Sequence, residues 1–413
     1  EMWGRGAWQR SPGTAEASPV PGPGGLVAWW ARFAFRGPDL AVIFFVALGV
    51  VSLTAAADVR LAARELRVVV VEPALLYLLL TRALWRPVKP PLQAGWPRGV
   101  AIQRLVMAML AGAVAAAAVG LFQYLFTAQV ITAEGGLRRM LGPYSSPNGL
   151  GLFLERALPL ALALALGGVA WKWSKSRWGQ RAGLAAWLGM VALLGLATLL
   201  TFSVGAWAAA AAGCGLVILR QSRRTALALA GAALALALLA IPLLGTERVV
   251  SHFDLQSATT SALRVSVWQS AVEMIGDHPL RGVGLDGFLE LYRTTYIRPE
   301  AWREPDLSHP HNILLESWLS LGILGPVAYA WLVGSVLVLA RRARGRAAGE
   351  TWARAVSLGL AAGVVAGLAH GLVDRFLAGA PDLSAYLFLS LGLLVLLADQ
   401  AHASGATTPE SEG

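Results

Sequence analysis

The residues best suited to acid–base chemistry stand together directly before an apolar stretch, in the run Ser308-His309-Pro310-His311-Asn312. Histidine titrates near neutral pH, as a general base must. Proline fixes its own φ angle, so we expect Pro310 to hold the two rings apart and to let only one of them face a substrate. The alternative interpretation is that Asn312 or Ser308 caps the following helix and that the histidines are interface residues.

A metal or cofactor site has less support in the sequence. The one cysteine, Cys214, lies in an apolar segment, and no carboxylate stands beside the two histidines at the spacing of a ligand set. The glycines of Gly282-Val283-Gly284 lack a preceding strand and a following helix pattern, so they indicate a tight turn and not a nucleotide-binding loop. We therefore expect neither a metal nor a cofactor.

A helix that carries an arginine is predicted upstream of the histidines. Apolar residues recur at helical spacing across 261–276, at Leu263, Val267, Ala271 and Met274. This spacing predicts an amphipathic helix along the membrane face, which Asp277-His278-Pro279 ends because proline disfavours helix in the residue before it. Arg264, at the start of this helix, is suited either to a bidentate contact with phosphate or to a snorkelling contact with lipid headgroups.

Several ionisable residues fall inside apolar segments, where charge is costly and a functional role is the default hypothesis. They are Glu72, Arg82, Glu155, Arg156, Glu316, His370 and Asp374. Arg82 lies near a segment end and can snorkel. Glu155 and Arg156 are adjacent and can satisfy one another. His370 and Asp374 are four residues apart on one predicted helical face, so we expect them to hydrogen-bond, either to orient the helix or to contact substrate.

The elements that must position these residues are membrane helices. Of the 413 residues, 56% are apolar and only 14% are charged, against roughly 25% charged in soluble proteins. We predict an all-α integral membrane protein of about ten transmembrane helices, with one long extracytoplasmic loop that contains amphipathic helices. The candidate spans are 39–57, 67–84, 105–127, 148–170, 183–202, 205–219, 226–245, 318–340, 355–374 and 384–399.

The distribution of basic residues predicts the orientation of these spans. Lys and Arg concentrate in the loops after the second, fourth, sixth and eighth spans, which indicates that these loops and both termini are cytoplasmic. Arg60, Arg64 and Arg67, after the first span, are the exception. Topology and contact with membrane lipids explain the net charge of +10, so nucleic acid is not an expected partner.

The predicted organisation has five parts. No cleavable signal sequence is expected, because the N-terminal segment is polar and rich in Gly and Pro; it includes a short interfacial helix at 26–35. The long loop is rich in aromatic residues, which indicates an ordered segment. The parts are an N-terminal cytoplasmic or interfacial segment (1–38), seven spans (39–245), an extracytoplasmic, periplasmic-side catalytic loop (246–312), three spans (313–399) and a disordered cytoplasmic tail (400–413).

Several blocks of this sequence resemble the O-antigen ligase and polymerase superfamily, and together they cover most of residues 140–375. The most specific block lies in the long loop and comprises Arg264-x-x-x-Trp268, Asp277-His278-Pro279-Leu280-Arg281-Gly282-Val283-Gly284-x-x-x-Phe288, His309-Pro310-His311-Asn312-x-x-Leu315-Glu316 and Gly322-Ile323-Leu324-Gly325. The other pieces are Gly142-Pro143-Tyr144-x-x-Pro147-Asn148, followed by Pro159, and His370-Gly371-Leu372-Val373-Asp374.

The resemblance implies an integral-membrane glycosyltransferase of the bacterial cytoplasmic membrane. Such enzymes transfer a glycan from an undecaprenyl-diphosphate carrier to an acceptor hydroxyl, on a lipid-core sugar or a growing polysaccharide, outside the membrane and without metal or nucleotide. The family's loop histidine corresponds to His311, as base, and its loop arginine to Arg264, which stabilises the departing diphosphate. The other candidates for substrate binding are His309, Asn312, Arg281, Arg138, Arg139, Asn148, His370 and Asp374.

This sequence departs from the family pattern at one position. The family commonly has a second arginine in a Thr-x-Ser-Arg-Gly-Ala hairpin, whereas this chain reads Thr201-Phe202-Ser203-Val204-Gly205-Ala206. Either another cation meets the diphosphate, or this member is weak, divergent or inactive. The cations considered for that place are Arg138, Arg139 and Arg281. Ten predicted spans, where twelve are common in the family, are a smaller departure.

Two other functions compete with glycan transfer. A transporter, for example of inorganic carbon, would suit ten spans with buried charges, but the chain shows no inverted repeat, and its informative residues gather in a loop and not at the bilayer midplane. A non-catalytic scaffold of envelope polysaccharide assembly gains weight from Val204. The sequence does not separate a ligase from a polymerase, because the two differ in acceptor and acceptor contacts follow no readable pattern.

Overall fold

The computed structural model describes residues 37–83, 98–127, 131–132, 138–167, 176–225, 227, 231, 260–302, 304–346, 351–374 and 380–405. The predicted interfacial helix at 26–35, the start of the long loop at 246–259 and nearly all of the predicted span at 226–245 lie outside these residues.

Helices make up almost all regular structure in the described part, so the prediction of a helical fold is confirmed. The departure is a two-stranded antiparallel ladder in which Ile131 faces Arg139 and Thr132 faces Arg138. The elements are α1 (Gly37–Ser52), α2 (Val59–Glu65), a π-helical turn (Leu66–Val71), α3 (Glu72–Ala83), α4 (Arg98–Phe126), β1 (Ile131–Thr132), β2 (Arg138–Arg139), α5 (Pro147–Leu166), α6 (Arg177–Leu200), α7 (Val204–Gln221), α8 (Thr260–Asp277), α9 (Phe288–Leu291), a second π-helical turn (Tyr292–Tyr296), a 3₁₀ turn (Pro299–Ala301), α10 (Ile313–Leu321), α11 (Gly325–Arg346), α12 (Thr351–Gly371) and α13 (Pro381–Gly405).

Among the described residues, six helices are long and apolar enough to cross a membrane, which makes the chain a helical membrane protein. Helix α1 is apolar but shorter. The predicted total of about ten spans stays a prediction, because these six are found among the described residues alone. The six candidates are Gly99–Phe126, Pro147–Leu166, Trp178–Leu200, Val204–Gln221, Thr351–Gly371 and Pro381–Asp399.

The predicted span 318–340 is wrong as a single helix, because the chain breaks at Gly322. This glycine has a φ of +75°, a left-handed conformation that glycine adopts without steric cost, and its N–H donates to the Trp318 carbonyl at 2.7 Å. Helix α11 then starts at Gly325, where any Cβ would collide with the Ser317 carbonyl. The apolar run hides this break, since hydropathy does not register backbone conformation.

Two more boundaries differ from the prediction. Residues 58–66 were expected to be a loop, but Asp58 caps a helix there by accepting from the N–H groups of Arg60 and Leu61, and helical structure continues to Ala83. At the other end, helix α13 continues to Gly405, so a disordered tail from residue 400 is wrong for residues 400–405. The run of good helix formers there extends the helix until glycine ends it.

The centre of the helical bundle is the contact of α12 with α5 and α7. Gly359, Gly363 and Gly367 follow one another at four-residue spacing and form one face of α12. A Cβ at Gly359 would lie 2.7 Å from Cα of Leu160, and a Cβ at Gly363 would lie 2.5 Å from the carbonyl oxygen of Arg156. Small residues thus let the two backbones approach closely. This approach carries polar groups of α5 to the end of α12.

The long loop has a small hydrophobic core of its own. Val267, Ala271 and Met274 are fully buried on one face of α8, and Leu263 packs partly buried beside them, as the helical spacing predicts. The rings of Phe288 and Tyr292 stack at 5.2 Å and belong to the same cluster. Helix α8 ends at Asp277, as predicted from the proline two residues later. The described part of the loop is therefore an ordered, packed segment that positions Arg264 near its start and the histidines at its end.

Candidate active site

The site is organised around the carboxylate of Asp374, which lies three residues beyond the end of α12 and is 4% exposed. Its Oδ1 lies 3.1 Å from Nδ1 of His311, within hydrogen-bond distance, and 3.9 Å from Nε2 of His309. The end of the long loop thus meets the end of a bundle helix. The sequence separates these partners by more than 60 positions, and their pairing was not predicted.

The second oxygen of Asp374 faces three further groups. Asn148 donates from Nδ2 to Oδ2 at 3.3 Å. The nearest guanidinium nitrogen of Arg264 is 3.6 Å away, and Nε2 of His370 is 3.7 Å away. Six of the predicted site residues therefore meet at one carboxylate. They are Asp374, His309, His311, Asn148, Arg264 and His370.

Asn312 fixes the position of His311 in this cluster. The Asn312 side chain caps α10 by accepting from the N–H groups of Leu314 at 3.0 Å and Leu315 at 3.3 Å, so the capping interpretation is confirmed for this residue. Its Nδ2 also donates to the carbonyl of Leu372 at 3.0 Å. One side chain thereby ties the loop end to the segment that carries Asp374.

The expectation that Pro310 holds the two rings apart is wrong. The ring centroids of His309 and His311 are 4.3 Å apart, because both rings turn toward Asp374. His311 has a φ of +52°, an uncommon conformation for a residue with a Cβ, which folds the chain back after the proline. Such strained residues are concentrated at functional sites. Ser308 hydrogen-bonds to Nδ1 of His309 at 2.9 Å, which leaves its Nε2 directed to the shared carboxylate.

The predicted hydrogen bond between His370 and Asp374 is also wrong. Helix α12 ends at Gly371, so the two residues do not continue one helical face, and their 3.7 Å separation exceeds hydrogen-bond distance. His370 bonds instead through Nδ1 to Oε2 of Glu155 at 2.6 Å. Glu155 also accepts from Arg156 at 3.0 Å, which confirms the predicted pairing of these neighbours. The sequence marked Glu155 as a charge within a span but did not connect it with the site.

The environment of Asp374 keeps its carboxylate ionised. Burial raises the pKa of Asp374, but the hydrogen bond with His311 and the contact with His309, together with positive charge on His311 and His370, outweigh burial and set the pKa well below its ordinary value. A negative charge is therefore held next to both loop histidines throughout the neutral range. Such a charge orients a neighbouring imidazole and stabilises it when it gains a proton.

Of the three cations considered in place of Val204, Arg139 is the one linked to this cluster. Its Nη2 donates to Oδ1 of Asn148 at 2.8 Å, and Asn148 in turn contacts Asp374. Its Nε donates to the carbonyl of Thr201 at 2.8 Å, in the same hairpin as Val204. Burial lowers the pKa of Arg139 from its ordinary value, although an arginine remains charged at neutral pH.

The other two cations point elsewhere. Arg138 donates to the carbonyl of Thr127 at 2.8 Å and lies over the ring of Tyr124 at 5.5 Å. Arg281 is exposed in the turn after α8, and within the described residues the structure gives it no contact with Asp374. The glycines that follow Arg281 form a turn, as predicted.

The cluster also contains a potential ligand set for a cation. His309, His311 and Asp374 each offer one ligand atom, and these atoms lie within 4.8 Å of one another. The sequence argument that no carboxylate stands near the histidines is therefore wrong, since Asp374 arrives from a distant part of the chain. The guanidinium of Arg264, 3.6 Å from the same carboxylate, brings a positive charge that opposes a second cation there.

A comparison with known families covers the part of the chain that holds the loop side of this site. Residues 188–330 match the family model described as O-antigen ligase, a range that includes Arg264, His309 and His311. No curated protein sequence matches the chain. Glycosyl transfer in general is what the family implies. The match supports the resemblance seen in the sequence blocks: residues 188–330 are similar to an O-antigen ligase domain.

Proposed function

We propose that the protein is a membrane glycosyltransferase that moves a glycan from an undecaprenyl-diphosphate carrier to an acceptor hydroxyl. The observation that carries this proposal is that one buried carboxylate, Asp374, joins a candidate base, His311, to a candidate phosphate-binding cation, Arg264. Glycan transfer from a lipid diphosphate needs both groups, since the acceptor must lose a proton and the diphosphate must leave with negative charge.

His311 acts as the base. With Nδ1–H donated to Asp374, its Nε2 carries the lone pair that takes the proton of the acceptor hydroxyl. The imidazolium so formed is stabilised by the ionised Asp374. His309, whose Nε2 lies 3.9 Å from the same carboxylate, has a positioning role.

Arginines stabilise the departing diphosphate. The acceptor oxygen forms a bond to the anomeric carbon, the bond from that carbon to the diphosphate oxygen breaks, and its electron pair leaves with the diphosphate. Arg264 stabilises this growing charge, and its 3.6 Å contact with Asp374 is long enough to be exchanged for phosphate oxygens. Arg139, which reaches the cluster through Asn148, takes the place of the arginine that is absent at Val204.

The side of the membrane and the substrates follow from the sequence arguments. The distribution of basic loops favours an outer position for the long loop, on the side of the bacterial cytoplasmic membrane where lipid-linked glycans are consumed. The acceptor is a lipid-core sugar or a growing polysaccharide. A transporter is less well supported, because the polar groups gather where the long loop meets the end of α12.

The test is transfer by the purified protein in lipid nanodiscs, supplied with undecaprenyl-diphosphate-linked glycan and with a panel of lipid-core and polysaccharide acceptors. We expect a glycosylated acceptor, detected by mass spectrometry, and release of the lipid diphosphate. The His311→Ala protein in identical nanodiscs is the control. If wild-type protein yields no more product than this variant with every acceptor, glycan transfer should be replaced by the scaffold or the transporter.

A further inference from the structure

A row of charged and polar groups continues from the site into the bundle. Arg156, Glu155 and His370 are each no more than 1% exposed, although burying such groups costs several kcal/mol per ion unless partners compensate. Well-packed apolar residues often stabilise a fold as well as a buried ion pair does. Their burial is therefore weak evidence for a purely stabilising role.

The contacts in this row run from Arg156 through Glu155 and His370 to Asp374. Oε1 of Glu155 accepts from Arg156 at 3.0 Å, and Oε2 pairs with Nδ1 of His370 at 2.6 Å, so both oxygens are engaged. The other ring nitrogen of His370 faces Oδ2 of Asp374 at 3.7 Å. The row thus joins the bundle interior to the carboxylate that contacts His311.

The His370 ring is also enclosed sterically. Gly205 of α7 lies against it so closely that a Cβ there would come within 2.6 Å of the ring carbon Cδ2. With Glu155 on one side and α7 on the other, the ring cannot turn its Nε2 away from Asp374 without displacing a neighbour. A histidine required only for packing needs no such directional constraint.

We propose that Glu155 and His370 are positioning residues of the active site. Glu155 fixes the ring of His370, and this ring, with its Nε2 packed 3.7 Å from Oδ2 of Asp374, limits the rotation of the carboxylate so that Oδ1 remains directed at His311. The proposal rests on the proposed function for its kinetic consequence, but its geometric part concerns His311 alone and is measurable without turnover. Neither residue contacts substrate, since both are buried.

The variants must separate positioning from folding. Glu155→Gln alone would leave Arg156 buried without its partner charge, so the pair is removed together as Glu155→Gln with Arg156→Gln. His370→Ala removes the ring, and His370→Gln restores one donor. Ser357→Ala is the matched control, because Ser357 is fully buried on the same helix and, within the part of the chain that the structure describes, its hydroxyl donates to the carbonyl of Ala353 in that helix at 2.8 Å.

The readout that needs no activity is chemical modification of histidine. Diethyl pyrocarbonate reacts with neutral, accessible imidazole, and the exposed His278 provides an internal reference rate in each sample. Loss of the Glu155 pair or of His370 should raise the His311 to His278 rate ratio by about threefold or more, the change expected when one hydrogen bond weakens. Ser357→Ala should leave the ratio unchanged, and His370→Gln should fall between.

The kinetic readout uses the same proteins with the lipid-linked donor. Both the Glu155 pair variant and His370→Ala should lower kcat by about ten- to a hundredfold with little change in KM for the donor, and combining them should add almost nothing. An unchanged modification ratio in folded variants overturns the inference, whether or not transfer is observed. If the ratio rises but wild-type protein transfers no glycan, the positioning stands and the proposed function fails.

Discussion

The side chains that the long loop contributes to the site differ in solvent exposure from those that the helical bundle contributes. The side chains that the long loop contributes, Arg264, His309 and His311, are 26%, 10% and 19% exposed. Those that the bundle contributes, Glu155 and His370, are 0% and 1% exposed. Among the described residues, Asp374 contacts members of both groups. The difference teaches that the loop residues can meet substrates, whereas Glu155 and His370 can act only through Asp374.

The largest expected effect is at the loop histidine. His311→Ala should lower kcat by about two to four orders of magnitude, because the acceptor hydroxyl loses its base. Binding of the lipid diphosphate, measured by calorimetry or by microscale thermophoresis, should change little. His309→Ala serves as comparison and should be milder. The opposite ranking, with His309 essential and His311 dispensable, would show that His309 and not His311 is the base.

Arg264→Ala comes second. It should weaken donor binding and also lower kcat by about two to three orders of magnitude, since the charge it faces grows as the diphosphate leaves. Arg264→Lys should recover only part of the loss, because a point charge does not replace a planar fork. The matched control is Arg298→Ala, which removes an exposed ion pair with Glu273 in the same loop. Equal losses for Arg298 and Arg264 would indicate that the loop is merely destabilised.

Arg139→Ala should have a smaller effect, about ten- to a hundredfold on transfer, because it reaches the cluster through Asn148. Arg138→Ala is its control: the neighbouring arginine points to Thr127 and should be nearly neutral. Adding Val204→Arg to the Arg139→Ala protein should restore part of the rate, since Val204 is 65% exposed in the same hairpin. If Arg139→Ala does not lower the transfer rate, Arg139 does not substitute for the arginine that is absent at position 204.

The smallest expected effect is that of chelation. EDTA should leave transfer unchanged, because the base and the arginines together provide the required chemistry. Activity that disappears with EDTA and returns with a divalent ion would assign His309, His311 and Asp374 to a metal centre. It would also mean that Arg264 shares the carboxylate with a cation.

The sequence predicted elements better than their pairings. Helical spacing gave α8 and its buried face, because that pattern is local. The break at Gly322 was missed, since an apolar run looks continuous whether or not the backbone turns within it. The site residues Arg264, His311 and Asp374 were each identified, but the pairing of His311 with Asp374 depends on how α12 meets the loop. His370 was assigned to the carboxylate four residues away, yet Glu155, from a helix distant in the chain, lies closer to it.

The most direct test of the account is the rate of glycan transfer by Asp374→Asn protein under single-turnover conditions. Asparagine keeps the shape of the side chain but removes the charge that orients His311 and stabilises its protonated form. We predict a fall of about three to four orders of magnitude in the transfer rate, with donor binding within a few-fold of wild type. A transfer rate equal to that of wild type would contradict the claim that this carboxylate organises the active site.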